Sequence, residues 1–141
     1  MNLSTARRCA ALGALTLALA PAAAAATSHV KLWQNKAKTL DCGIEIPLPG
    51  KHPSQILCSA VNLPAPPSKV GDPFVQISRH GHPHIVRVGD DEFVGHTIVT
   101  LKPGTKWSAL GVTCTIQAKK AKCTNASGHG FTIAKHLYKP F

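Results

Sequence analysis

The segment His80-Gly81-His82-Pro83-His84 sets three imidazoles at alternate positions, and Asp90-Asp91-Glu92 follows a few residues later. Alternate side chains of an extended chain share a face. His80, His82 and His84 therefore offer three nitrogen ligands to a divalent ion, zinc or copper, with one of those carboxylates as a fourth. Gly81 and Pro83 interrupt regular extension, so the competing expectation is a solvated turn between two strands. His129 stands between Gly128 and Gly130, which free the local backbone for a turn or a close approach. It reads either as a ligand-facing imidazole at a strand entry or as a histidine bonded within a structural turn. Nothing resembles a Gly-x-Ser-x-Gly nucleophile elbow. Asp90, Asp91 and Glu92 are consecutive, so on a strand they point to opposite faces and make a poor acid/base pair. The expectation is a non-enzymatic protein without catalytic residues, and without a cofactor unless the histidines hold zinc or copper.

The thiols point the same way. Of five cysteines, Cys9 lies in a leader-like segment, leaving Cys42, Cys58, Cys114 and Cys123. An even count in a small exported chain reads as two disulfides. Three pairings are open, and Cys42–Cys58 with Cys114–Cys123 is favoured. From Val112 to Thr124 apolar and polar residues alternate. Folding that run at Ala118-Lys119 sets Cys114 opposite Cys123 and Ile116 opposite Ala121, all on one face. Directly opposed residues of an antiparallel pair lie about 4.5–5.5 Å apart at Cα, within disulfide reach. A four-cysteine zinc site is the rival, disfavoured because no Cys-x-x-Cys pair is present.

These groups need elements to position them. The chain has 141 residues, enough for one domain. Residues 1–26 begin with Arg7-Arg8, continue apolar from Cys9 to Ala20 and end in an alanine run, the three parts of a secretory signal peptide. Cleavage after Ala22 or Ala26 fits equally. The apolar stretch is too short to span a bilayer, so no transmembrane anchor is expected. The remainder, 27–141, reads as a single all-β domain, an antiparallel barrel or sandwich. Eleven Gly and eleven Pro chop the chain into short β-branched and aromatic pieces. Strands are predicted near 30–34, 40–46, 55–61, 74–78, 85–88, 97–101, 106–110, 112–117, 121–124 and 131–134. The Pro-rich stretch 62–73 is a possible seam between halves, and no internal repeat is apparent. Trp33, Phe74, Phe93, Trp107 and Phe131 are the expected bulky core residues.

The C-terminal third carries an ordered set of motifs. These are Leu101-x-Pro-Gly104-x-x-Trp107, Gly111-x-x-Cys114, Cys123-x-Asn125, Gly128-His129-Gly130-Phe131-x-Ile133 and Tyr138-x-x-Phe141. In this order they resemble a family of small exported bacterial proteins of unknown function. Its members end in a two-cysteine hairpin followed by Asn and a Gly-His-Gly-Phe segment. The resemblance spans Thr97–Phe141 and implies an all-β, disulfide-stapled, exported domain. It implies no catalytic residues. Family members carry a Ser-Pro-Ser-Gly-Asn-like turn before the first cysteine, where this chain has Asn35-Lys36-Ala37-Lys38-Thr39.

Sixteen basic residues stand against six acidic ones. Without Arg7 and Arg8 the excess is eight, which favours association with an anionic cell-envelope polymer. Nucleic-acid binding would call for aromatics interleaved with this charge, and the seven aromatics fall mostly at core positions. A secreted monomer without a nucleic-acid partner is therefore expected.

Overall fold

Strands dominate the computed structural model, which describes residues 31–45, 53–67, 70–89, 93 and 97–141. The leader segment and Asp90-Asp91-Glu92 lie outside the described residues. Among the described residues eleven strands form: β1 (Leu32–Asn35), β2 (Leu40–Glu45), β3 (Gln55–Ala60), β4 (Asp72–Ile77), β5 (His84–Val88), β6 (Val99–Leu101), β7 (Lys106–Ala109), β8 (Val112–Ile116), β9 (Lys120–Asn125), β10 (Gly130–Ala134) and β11 (Leu137–Pro140). They build one six-stranded sheet, ordered β5-β4-β3-β2-β1-β6, and one five-stranded sheet, ordered β11-β10-β9-β8-β7. All ten predicted strands are present. The one missed, β11, is short and contains Pro140, which a sheet tolerates at its edge.

Each sheet is a five-stranded antiparallel meander, β1–β5 and β7–β11, with β6 added parallel to β1. Their inward rows correspond strand by strand. In the first, Trp33 lies opposite Cys42, Cys42 opposite Cys58 and Cys58 opposite Val75. In the second, Trp107 lies opposite Cys114, Cys114 opposite Cys123 and Cys123 opposite Phe131. Ile44 and Ile116 follow the second-strand cysteines at the same offset, as Ile77 and Ile133 follow Val75 and Phe131. The molecule is thus a two-fold repetition of one pattern. A fixed-period reading misses it because the two cysteines are separated by 16 residues in one meander and 9 in the other. The stretch 62–73 leads from β3 into its neighbour β4 within one sheet, and the chain passes from the first sheet to the second at Lys102–Thr105.

Both disulfides form, Cys42–Cys58 and Cys114–Cys123, each between directly opposed residues. The sulfurs of Cys42, Cys58 and Cys123 lie within 4.8 Å of one another, so the two bridges meet at the centre of the sandwich. Trp33 and Trp107 meet edge to face at 5.9 Å between ring centroids. Around them Ile56, Val75, Ile77, Val112, Ile116, Phe131 and Ile133 are fully enclosed. Phe74 faces away from this core. It lies on the outer face of the first sheet, where Leu32 and Leu57 are also buried, and its ring meets that of Phe93 at 5.5 Å. A Cβ on Gly43 would come within 2.6 Å of the Phe93 ring, so glycine at this strand position leaves room for the covering aromatic.

Candidate functional site

Two buried asparagines bind the sheets to each other at opposite ends, and one of them organises the histidines. Asn35 closes its own turn by accepting from the Thr39 and Leu40 N–H groups through Oδ1. Its Nδ2 donates to Thr39 Oγ1 and, across the sandwich, to the Ala118 carbonyl in the β8–β9 turn. Asn125 does the same from the second sheet. Its Oδ1 accepts from the Ser127 and His129 N–H groups, and its Nδ2 donates to the carbonyls of Ser78 at 3.1 Å and Gly81 at 2.8 Å. Asn125 opens an Asn-x-Ser glycosylation triplet, but with 6% of its surface exposed it serves as an internal clamp.

This clamp draws the His80–His84 turn of the first sheet onto the Asn125–Gly130 turn of the second. His80 Nδ1 lies 2.9 Å from Ser127 Oγ. The His82 ring lies against that of His129, 3.7 Å between centroids and tilted by 36°. His84 Nδ1 is 3.5 Å from its neighbour's carbonyl, that of His82. Tyr138 in β11 donates to the Pro83 carbonyl at 3.1 Å, and partial burial raises its phenol pKa above the ordinary value of 10.0. His80, His82 and His84 are exposed and His129 half-buried.

The structure therefore joins predicted site residues in a different combination. His82 meets His129, and His80 meets Ser127. The expected convergence of His80, His82 and His84 is not seen: among the described residues, no three histidine or carboxylate ligand atoms lie within 4.8 Å of one another. The physical reason is that Gly81 carries φ of +90°, and the segment closes into a turn that sends the three imidazoles to separate neighbours. The carboxylates proposed as a fourth ligand lie outside the described residues. A four-cysteine zinc site is excluded differently, since all four sulfurs are consumed in disulfides.

The second candidate is the outer face of the β7–β11 sheet. Lys106, Lys122 and Lys139 are exposed there, with Thr115 and Thr132 between them. Beside them Ser108 Oγ and Thr113 Oγ1 are 2.9 Å apart. One aromatic ring lies on this face. Phe141, hydrogen-bonded through its backbone to Gly130, places its ring where a Gly130 Cβ would be, 2.7 Å from that position. A side chain at residue 130 would also strike the Cys123 carbonyl, so glycine seats the ring flat against the sheet. The Lys122 ammonium stands 4.7 Å above the ring centroid, a cation–π contact.

The individual lysines of this face were visible in the sequence, but their gathering was not, because it depends on strand register. One signal was available: from Thr97 to Phe141 there are seven lysines and no acidic residue. By contrast, a concavity of about 420 Å³ lies at the first sheet and is lined by Asp41, Asp72, Phe74 and Phe93 among others. Comparison with family models, with curated proteins and with solved structures finds no match.

Proposed function

We propose that the protein is an exported, non-enzymatic β-domain that holds to an anionic polymer of the cell envelope. The observation that carries this reading is the partition of charge. All six carboxylate side chains occur at or before Glu92, and the meander that follows is purely cationic. Its outward polar residues are lysine, threonine and serine, beside Ala134, Leu137 and Phe141, on a sheet fixed from behind by a disulfide. A single-sign face of this kind concentrates a polyanion by long-range attraction, which salt screens over about 8–10 Å. The two disulfides suit an oxidising compartment, and the leader-like residues 1–26 suit delivery to one.

The test is retention of the disulfide-intact protein on carboxylated and on neutral matrices of equal porosity. Saturable retention on the anionic matrix, lost with rising salt, is expected. Equal retention on both matrices at low salt overturns the reading.

A further inference from the structure

The register of the second sheet orders its outward residues into a line. Lys106 lies opposite Thr115, Thr115 opposite Lys122, Lys122 opposite Thr132 and Thr132 opposite Lys139. One straight row therefore crosses all five strands and alternates lysine with threonine. Neighbouring strands are about 4.7–4.9 Å apart, which puts successive lysine stems about 9.5 Å apart. Backbone hydrogen bonding sets that interval, so it does not depend on how the side chains swing.

We infer that this row is the docking track of an acidic polysaccharide lying across the strands, a linear sugar chain with one carboxylate per disaccharide. The inference rests on the envelope-polymer reading above and names its residues and ligand. An extended disaccharide is comparable in length to the interval between lysines, so each carboxylate meets one ammonium. The sugar hydroxyls between carboxylates meet Thr115 and Thr132, whose hydroxyls both donate and accept. A polyphosphate chain offers no hydroxyls to match them. Lysine suits the task because a compact charge on a flexible stem follows a chain of carboxylates, whereas arginine's rigid fork grips single groups. The central lysine is already placed, since the Phe141 ring holds the Lys122 ammonium over the sheet. The stretch that forms the row has no acidic side chain to compete.

Titration of the disulfide-intact protein with hyaluronate, which has this repeat, tests the track. The variant Lys106→Gln/Lys122→Gln/Lys139→Gln removes three charges from the row. The variant Lys102→Gln/Lys119→Gln/Lys135→Gln removes three charges from turns of the same region. All six lysines are exposed, and melting curves are to be recorded for both variants so that loss of folding is separated from loss of binding. Loss of the row is expected to weaken binding about tenfold or more, as three exposed ion pairs allow, and loss of the turn lysines far less. Thr115→Val/Thr132→Val, which changes no charge, is expected to weaken hyaluronate binding more than polyphosphate binding, since phosphate oxygens can only accept from these hydroxyls. Equal weakening by the two lysine variants overturns the track while leaving the envelope reading standing. Native protein that binds polyphosphate but not hyaluronate overturns the sugar assignment alone. Native protein that binds neither, and is not retained on the anionic matrix, overturns both.

Discussion

Facing inward, the first meander presents Trp33, Cys42, Cys58 and Val75 in one cross-strand row, and the second presents Trp107, Cys114, Cys123 and Phe131 in another. Facing outward they share nothing. The first sheet carries Leu32, Leu57 and Phe74, whose ring meets that of Phe93, with Asp41 and Glu45 along β2. The second carries lysine, threonine and serine, with one seated phenylalanine and Leu137 near its β11 edge. The inward rows are alike because both must fill the same interior, where each indole packs against the other and each disulfide against its counterpart. The outer faces are free of that constraint, and only one of them is left polar, cationic and open. The difference separates what holds the molecule together from what it offers to a partner.

The equivalence of the interiors breaks most severely at the disulfides. Replacing all four cysteines by alanine removes both loop closures, worth about 5–6 kcal/mol together on chain entropy alone. That is comparable to the whole stability of a small domain, so the variant is expected to be unfolded at room temperature by circular dichroism. Removing one bridge costs about 3 kcal/mol for the 16-residue separation and about 2.5 kcal/mol for the 9-residue one. Both single-bridge variants should therefore stay folded with similar denaturation midpoints. A domain that collapses on losing one bridge but tolerates losing the other would show that the meanders are not energetic equals.

The asparagine clamps come next. Asn125→Ala orphans the Ser127 and His129 N–H groups and the Ser78 and Gly81 carbonyls, at a cost of about 3 kcal/mol. Asn35→Ala loses a single carbonyl across the sandwich, its other bonds being local, and is expected to cost about 2 kcal/mol. Urea denaturation of the two variants ranks them. Hydrogen exchange should show the His80–His84 turn opening only in the Asn125 variant.

The indoles are near-equivalent in packing but not in bonding. Trp33 Nε1 is buried with no hydrogen-bond partner, the sole such side-chain atom among the described residues. Trp33→Phe loses packing volume but also relieves an unpaired donor, a penalty of about 1–3 kcal/mol, so a net loss of about 1 kcal/mol or less is expected. Trp107→Phe has no such relief and should cost about 1–2 kcal/mol more. Thermal denaturation with equal losses at the two positions would contradict the assigned difference.

How much of this was legible in sequence follows from range. Cys114 opposite Cys123 is a local event, set by alternation through a two-residue loop, and the predicted register is the observed one. The ten predicted strands rest on equally local signals, whereas Cys42–Cys58 follows only as the pair left once Cys114–Cys123 is set. What escaped depends on tertiary placement. Asn125 reads as an ordinary turn residue until its Nδ2 is seen reaching carbonyls 44 and 47 residues away. The lysine–threonine row needs four strand pairings before it exists. The histidine segment misled for a related reason: its alternation implied convergence only if the chain stayed extended, and Gly81 turns it. Phe74 and Phe93, expected in the core, instead form a second apolar layer outside the first sheet, which alternation alone does not distinguish from the interior.

The smallest expected effect concerns the contact that ties the edge of the cationic sheet to the histidine turn. Tyr138 donates to the Pro83 carbonyl while its ring packs 6.2 Å from Phe131. Burial disfavours the phenolate, so the folded-state pKa lies above the unfolded value near 10.0. Between those two values the unfolded chain has released the proton and the folded chain has kept it. The stabilisation is therefore complete below pH 10 and lost as the pH rises through the folded pKa. Ionisation also removes the proton that Tyr138 donates, so the link to Pro83 weakens over the same range. Tyr138→Phe, which leaves every other ionisable group in place, is the necessary reference. The native protein should lose more stability than this variant between pH 9 and 11, although the variant is slightly less stable at pH 7. Parallel stability curves for the two proteins across that range would show that the contact is energetically silent and that the edge strand is held by its ladder to β10 alone.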